Sequence, residues 1–332
     1  MRYLTCFFVL LWSLPSVYGA EPELYASLIM TAGQKNDSLP TDAGLFIHDE
    51  TEVGWHRFGP KIQFINGVAI SPVNSDIIFL ACGNGVAMTR DGGTSWKLVT
   101  GWRESDIQEI AIDPQDGKTV YAASIWGLTV SRDAGLTWDY AVSGLPALYC
   151  RTVVVDQAQP DRLLLGTEAG IFVSEDRAET WTPVTLGPGV NILDLEQSKA
   201  DSKYWMAGTE HHGVFLSSDN GETWTQTLPE AADRNMYAVG RDPKNLNRLV
   251  AGGLDTGVWI SLDGGASWAS KTEGLPSDDV TAIAIEPSPQ AGRIWVSTFE
   301  EGTFFSDDDG ETWQDAKLPG AYVFDLRFLE RP

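Results

Sequence analysis

SSDNGETW at 217–224 runs hydroxyl, any residue, acid, any residue, glycine, any residue, hydroxyl, tryptophan, and the phrase returns down the whole chain. It stands as TRDGGTSW (89–96), SRDAGLTW (131–138), SLDGGASW (261–268) and SDDDGETW (306–313). SEDRAETW (174–181) has Ala178 in the glycine place, and HDETEVGW (48–55) keeps only Glu50 and Trp55 of the chemistry. The closing tryptophans, Trp55, Trp96, Trp138, Trp181, Trp224, Trp268 and Trp313, follow one another at 41 to 45 residues. A period of that length defines a repeat architecture.

One unit reads in full from 278 to 313. VTAIAIEP (280–287) alternates β-branched residues with alanine and stops at a proline, as a buried strand does. RIWVSTF (293–299) and TFFS (303–306) are two further strands, and TWQDA (312–316) opens a fourth. Four short strands in about 45 residues make one blade of a β-propeller. Within the phrase the acid (Asp91, Asp133, Asp176, Asp219, Asp263, Asp308, with Glu50 in the first unit) is read as structural. Its carboxylate accepts N–H groups of its own turn. The glycine supplies positive φ, and the tryptophan supplies a large apolar surface.

The two ends of the chain fix the blade count. ELYASLIM (23–30) leads to GLFIH (44–48) and a tryptophan, so it is a second strand without a first. YVFDLRFLE (322–330) resembles a first strand, and nothing follows it. The fold expected is an all-β, seven-bladed propeller of four-stranded blades over 20–332, closed by the C-terminal strand completing the first blade, which removes open sheet edges.

MRYLTCFFVLLWSLPSVYGA has one arginine, a short apolar run and small residues at its end, the pattern of a secretory signal peptide over 1–19. No other stretch is long enough to span a membrane as a helix, so the mature chain is expected to be exported, to the periplasm or outside, with no integral membrane segment. The formal charge is −23, and −24 once Arg2 leaves with the leader. An isoelectric point near 4.4 argues against nucleic acid and anionic membranes as partners. The mature chain keeps Cys82 and Cys150, read as buried thiols, with a disulfide permitted by the compartment but not required.

The aspartate phrases all fall on one face. The opposite face collects the loops between second and third strands and the linkers between blades. Its candidates for binding are Trp102, Trp126, Tyr149, Arg151, Glu210, His211, Arg234, Tyr237, Asp255, Phe299 and Glu300, an aromatic, acidic and guanidinium set suited to recognition. Glu210-His211-His212 is not expected to hold a metal, because adjacent side chains in an extended turn diverge. The acids of SDDDGE (306–311) lack the ligand spacing of a calcium loop. No cofactor and no catalytic residue is assigned.

The repeated phrase is similar to the Asp-box, or bacterial neuraminidase repeat, over nearly the whole mature chain. Sialidases in that group imply an Arg triad, a Tyr–Glu pair and an Arg-Ile-Pro motif; the motif is absent here, and nothing in the context of Arg103, Arg151 and Arg234 supports reading them as the triad. Xyloglucanase-type glycosidases resemble the chain through the repeats and through Gly-Leu-Pro at 144–146 and 274–276. That resemblance implies two facing propellers, each with a catalytic Asp, whereas this chain supplies one propeller. The photosystem II stability/assembly factor family resembles it in size, export and blade count, and implies action without catalysis. GVFLSSDNGETW (213–224) is closer to the glycosidase and sortilin wording. The reading is a non-catalytic, exported scaffold that binds a protein through the face opposite the aspartate phrases. The alternative is a carbohydrate-active protein, either a glycoside hydrolase or a lectin-like binder with Trp102 and Trp126 as sugar platforms and a polysaccharide as partner.

Overall fold

A computed structural model describes residues 22–29, 43–49, 54–288, 292–318 and 322–332. The proposed leader, Glu50 and most of the first blade's loop lie outside the described residues. Seven four-stranded antiparallel sheets follow one another round a ring. Blade 2 gives the plan: Ile65–Ile70 innermost, then Ile78–Cys82, Gly85–Thr89 and Lys97–Leu98 at the rim. The innermost strands of blades 3 to 7 are Ile107–Ile112, Cys150–Val155, Asn191–Gln197, Ala238–Arg241 and Val280–Ile285.

Blade 1 closes the ring as the two chain ends require. Tyr322–Leu329 is its innermost strand and pairs antiparallel with Glu23–Ile29, from Glu23 opposite Leu329 to Ile29 opposite Tyr322. Gly44–Asp49 and Gly54–Phe58 complete the sheet. The same C-terminal strand also touches the innermost strands of blades 2 and 7. Outside blade 1 the fourth strands are only two or three residues long. Where TWQDA opens a fourth strand, Gln314–Asp315 pairs for two residues, and such short exposed edges resist pairing with another chain.

Burial follows the interfaces between blades, not one central core. Each of the seven junctions has its own apolar cluster. In the innermost strands Val68, Ile110, Val153, Leu195, Val239, Ile283 and Leu326 turn towards the neighbouring sheet and are nearly all fully buried. Cys82 and Cys150 are free buried thiols, pushed up to about 12 by burial.

The aspartate turns have one geometry in the six blades where they are described. In blade 3, Asp133 Oδ1 accepts from Thr137 N at 2.8 Å and Ser131 Oγ at 2.8 Å, and Oδ2 accepts from Thr137 Oγ1 at 2.6 Å. Ser131 Oγ in turn accepts from Gly135 N at 2.8 Å. The hydroxyl and N–H of the residue four places on hold Asp91, Asp133, Asp219 and Asp263 near 2. Ala178, in the glycine place of blade 4, takes φ +68° and keeps the bond to Ser174 Oγ at 2.9 Å. The tryptophans do more than join third strand to fourth. Indole N–H groups of Trp55, Trp181 and Trp313 reach carbonyls of Ala316, Ala141 and Lys271 in the preceding blade.

Candidate functional site

Six of the seven innermost strands bulge near their first residue, on the face opposite the aspartate turns. A bulge leaves one residue unpaired and re-aims it. Here the re-aimed residues are Asn66, Gln108, Arg151, Leu193, Thr281 and Phe324, and Tyr237 precedes the seventh strand. All seven line the mouth of a central cavity of about 610 Å³.

The mouth has two sides. Across blades 6, 7 and 1 it is aromatic and aliphatic, with Tyr237, Leu254, Phe299 and Phe324. Phe299 and Phe324 are 40% and 44% exposed. The Phe299 ring meets Tyr322 edge-on at 4.4 Å, and the Tyr322 hydroxyl donates to Glu300. Blades 2 to 4 present amides and a guanidinium. Arg151 lies 5.7 Å from the Tyr237 ring centre and donates from Nη1 to the Tyr149 hydroxyl at 3.4 Å, so three of the residues expected to bind stand together.

The next level of the channel holds Glu109, Thr152, Asp194, Ala238, Ala282 and Asp325. Arg327, two residues further along the closing strand, donates to Asp325 Oδ1 at 2.6 Å and to Glu109 Oε2 at 3.0 Å. Glu109 reaches Arg327 past blade 2, where a Cβ on Gly67 would stand 2.6 Å from Glu109 Oε1. Burial, reinforced by the neighbouring acids, pushes Asp325 up against the pull of Arg327. On blade 5, Asp194 and Glu196 accept Val239 N and Arg241 N of blade 6, both at 2.9 Å. Burial raises Asp194, and burial together with the Asp194 charge raises Glu196 to about 8.

The remaining expected residues lie outside this mouth. Trp102, 84% exposed, carries the Arg103 guanidinium 5.2 Å from its ring, and Trp126 is 51% exposed on the blade 3 hairpin. Glu210 accepts Asn191 Nδ2 at 2.8 Å, and Arg234 pairs with Asp255 at 3.4 Å. His211 and His212 bond different carbonyls, those of Asp233 and Glu210. Glu109, Asp194, Glu196, Asp325 and Arg327 were not singled out from sequence. Their signal is charge within largely apolar strands, single in IQEIAI and at alternate positions in NILDLEQ and YVFDLRFL.

The Sortilin-Vps10 family model (sortilin, neurotensin receptor 3), a β-propeller family, matches residues 126–251. No curated protein matches in sequence. Among solved structures, a GH74 enzyme from Niastella koreensis is similar over 92% of this chain and 52% of its own, at 18% identity and TM-score 0.68. The chain thus spans about half the length of that enzyme. YCF48 from Cyanidioschyzon merolae is similar over 81% of this chain and 93% of its own, at 15% identity and TM-score 0.59. A structure of YCF48 bound to D1 peptide matches over 82% and 93%, at 17% identity and TM-score 0.59. At these identities the likeness is one of fold, and propellers carry unrelated functions.

Proposed function

We propose that this chain is an exported, non-catalytic propeller scaffold that binds a protein partner through the face opposite the aspartate turns. The observation that carries the reading is the ring of bulges, which aims Arg151 and Phe324 from rigid strands into one mouth beside Tyr149, Tyr237 and Phe299. Aromatic and arginine anchors around a concavity are what protein recognition uses. Of the channel acids, Asp194 and Glu196 accept strand N–H groups of blade 6, and Glu109 and Asp325 are held by Arg327. The aspartate turns are assigned to structure alone. A protein-bound relative in fold, YCF48 with D1 peptide, is consistent with a polypeptide partner.

The test is affinity capture by the mature, tagged propeller from its native exported fraction, read by mass spectrometry against a Trp126→Ala/Arg151→Ala bait. A partner held by wild type and lost by the double variant is expected. Equal retention by both moves the site elsewhere, and an empty capture removes the reading. A second reading, a lectin-like glycan binder, is favoured by Trp102, whose ring is almost fully exposed with a guanidinium on one side. It requires polysaccharide binding that Trp102→Ala abolishes.

A further inference from the structure

We propose that the blade 6–7 side of the mouth docks a basic polypeptide segment, one that seats a large apolar side chain on Phe299 and Phe324 and sets Lys or Arg over the adjoining carboxylates. This rests on the scaffold reading and names the chemistry of the partner.

The apolar part of the surface is open. Phe299 and Phe324 are among the few large hydrophobic side chains of this face left exposed, and both line the cavity with Leu254. Exposed apolar surface with a polar rim marks a place of contact. The rim here has one sign. Asp278 and Asp279 lie in the linker between blades 6 and 7, and Glu300 and Glu301 in the blade 7 hairpin. Arg234, the nearby cation, is spent on Asp255 at 3.4 Å. Among the described residues, none of those four carboxylates forms an ion pair within 4.0 Å; Glu300 accepts the Tyr322 hydroxyl and Asp279 accepts Asp255 N, which leaves Asp278 and Glu301 to a partner. The opposite side of the mouth differs, with Arg151 beside Tyr149, and beyond it Arg103 lies against Trp102.

The surface is also rigid. Phe299 N donates to Asp279 O at 2.8 Å, Gly257 N to Asp278 O at 2.8 Å and Asp255 N to the Asp279 carboxylate at 2.8 Å. Linker and both hairpins are therefore tied into one unit, and a partner would bind without ordering them first. Carboxylates at such a rim act through on-rate and salt dependence, while the aromatic anchors act through residence.

The test uses the mature chain and three synthetic peptides of equal length, each with a central Leu-Phe flanked by lysines, glutamates or serines, followed by fluorescence anisotropy. The lysine-flanked peptide is expected to bind about tenfold or more tighter than the serine one, and the glutamate one weakest. Asp278→Asn/Glu301→Gln should erase that preference and flatten its salt dependence. Phe299→Ala should weaken the lysine and serine peptides alike. All substituted positions are on the surface, so unchanged melting is expected. Lysine-flanked binding that is absent, matched by the glutamate peptide, or insensitive to these substitutions overturns the inference. The Asp278→Asn/Glu301→Gln bait then separates the two ideas in the capture experiment. A partner lost with Trp126→Ala/Arg151→Ala but kept by the neutralised bait removes only the basic-segment inference, whereas no partner dependent on either bait removes the scaffold reading as well.

Discussion

The aspartate turns and the central channel are built from the same seven repeats in opposite ways. At the turns, Asp91, Asp133, Asp176, Asp219, Asp263 and Asp308 each accept from the hydroxyl two residues back and from the residue four ahead. Every bond is local, so a repeated sequence gives a repeated structure. In the channel, the seven mouth positions carry seven different residues, Asn66, Gln108, Arg151, Leu193, Tyr237, Thr281 and Phe324. Their neighbours belong to other blades, so one blade's choice depends on the next. A Cβ on Gly67 would crowd the Glu109 carboxylate that bonds Arg327. What repeats is self-sufficient; what departs from the repeat is where this chain differs from a generic propeller.

The largest effect that would break this comparison lies at the closing strand, which serves both regions. Deleting residues 322–332 removes the partner of Glu23–Ile29, the contact between blades 7 and 2, and both Asp325 and Arg327. An open edge and lost ring closure should give unfolding or aggregation, read by light scattering and circular dichroism. A soluble product with unchanged melting would show that the ring does not need its closure.

Arg327→Met is the next in size. It keeps side-chain length but leaves Asp325 and Glu109, both largely buried, without their cation. Removing one partner of a buried ionic cluster costs about 3 kcal/mol, and a denaturant midpoint should fall accordingly. Opening any one turn, as in Asp133→Ala, disturbs bonds confined to an exposed loop and should cost less. If the turn variant proves the more damaging, the contrast between local and ring-wide satisfaction is wrong.

The same contrast explains how far the sequence could be read. The period, the blade count and the closure follow from Trp spacing and from the unmatched strands at 23–30 and 322–330, because local turn chemistry is written locally. Arg151, Tyr149, Tyr237 and Phe299 were legible as a group because their loops share a face. The bulges were not, since a shift of register between Cys150 and Thr152 depends on pairing with Leu163–Thr167, a strand with no mark of it. Nor was the Arg327 cluster, whose members sit 218 residues apart and meet only round the ring. Charges at alternate positions in VFDLRF could have been read as channel-facing, but their partners could not.

Titration sharpens the comparison most finely, because the two regions respond to pH with opposite sign. The turn carboxylates sit near 2 in the folded chain against an ordinary 3.8, so their contribution is complete above about pH 4 and is lost as pH falls towards 2. Glu196 sits near 8 against an ordinary 4.5. The folded chain therefore holds its proton more tightly than the unfolded one, and stability declines as pH rises from about 4.5 to about 8. A maximum near pH 4 to 5 is expected. Glu196→Gln keeps an acceptor for Arg241 N and removes the titration. It should leave stability below pH 4.5 almost unchanged and raise it at pH 8 by about 1–3 kcal/mol, less than the full shift because the channel admits water. Asp194 and Asp325, also raised, should leave a residual slope. Denaturant midpoints at pH 4.5, 6 and 8 decide it: parallel curves for wild type and variant would mean that Glu196 stays ionised in the channel and that its bond to blade 6 is no costlier than those of the outer turns.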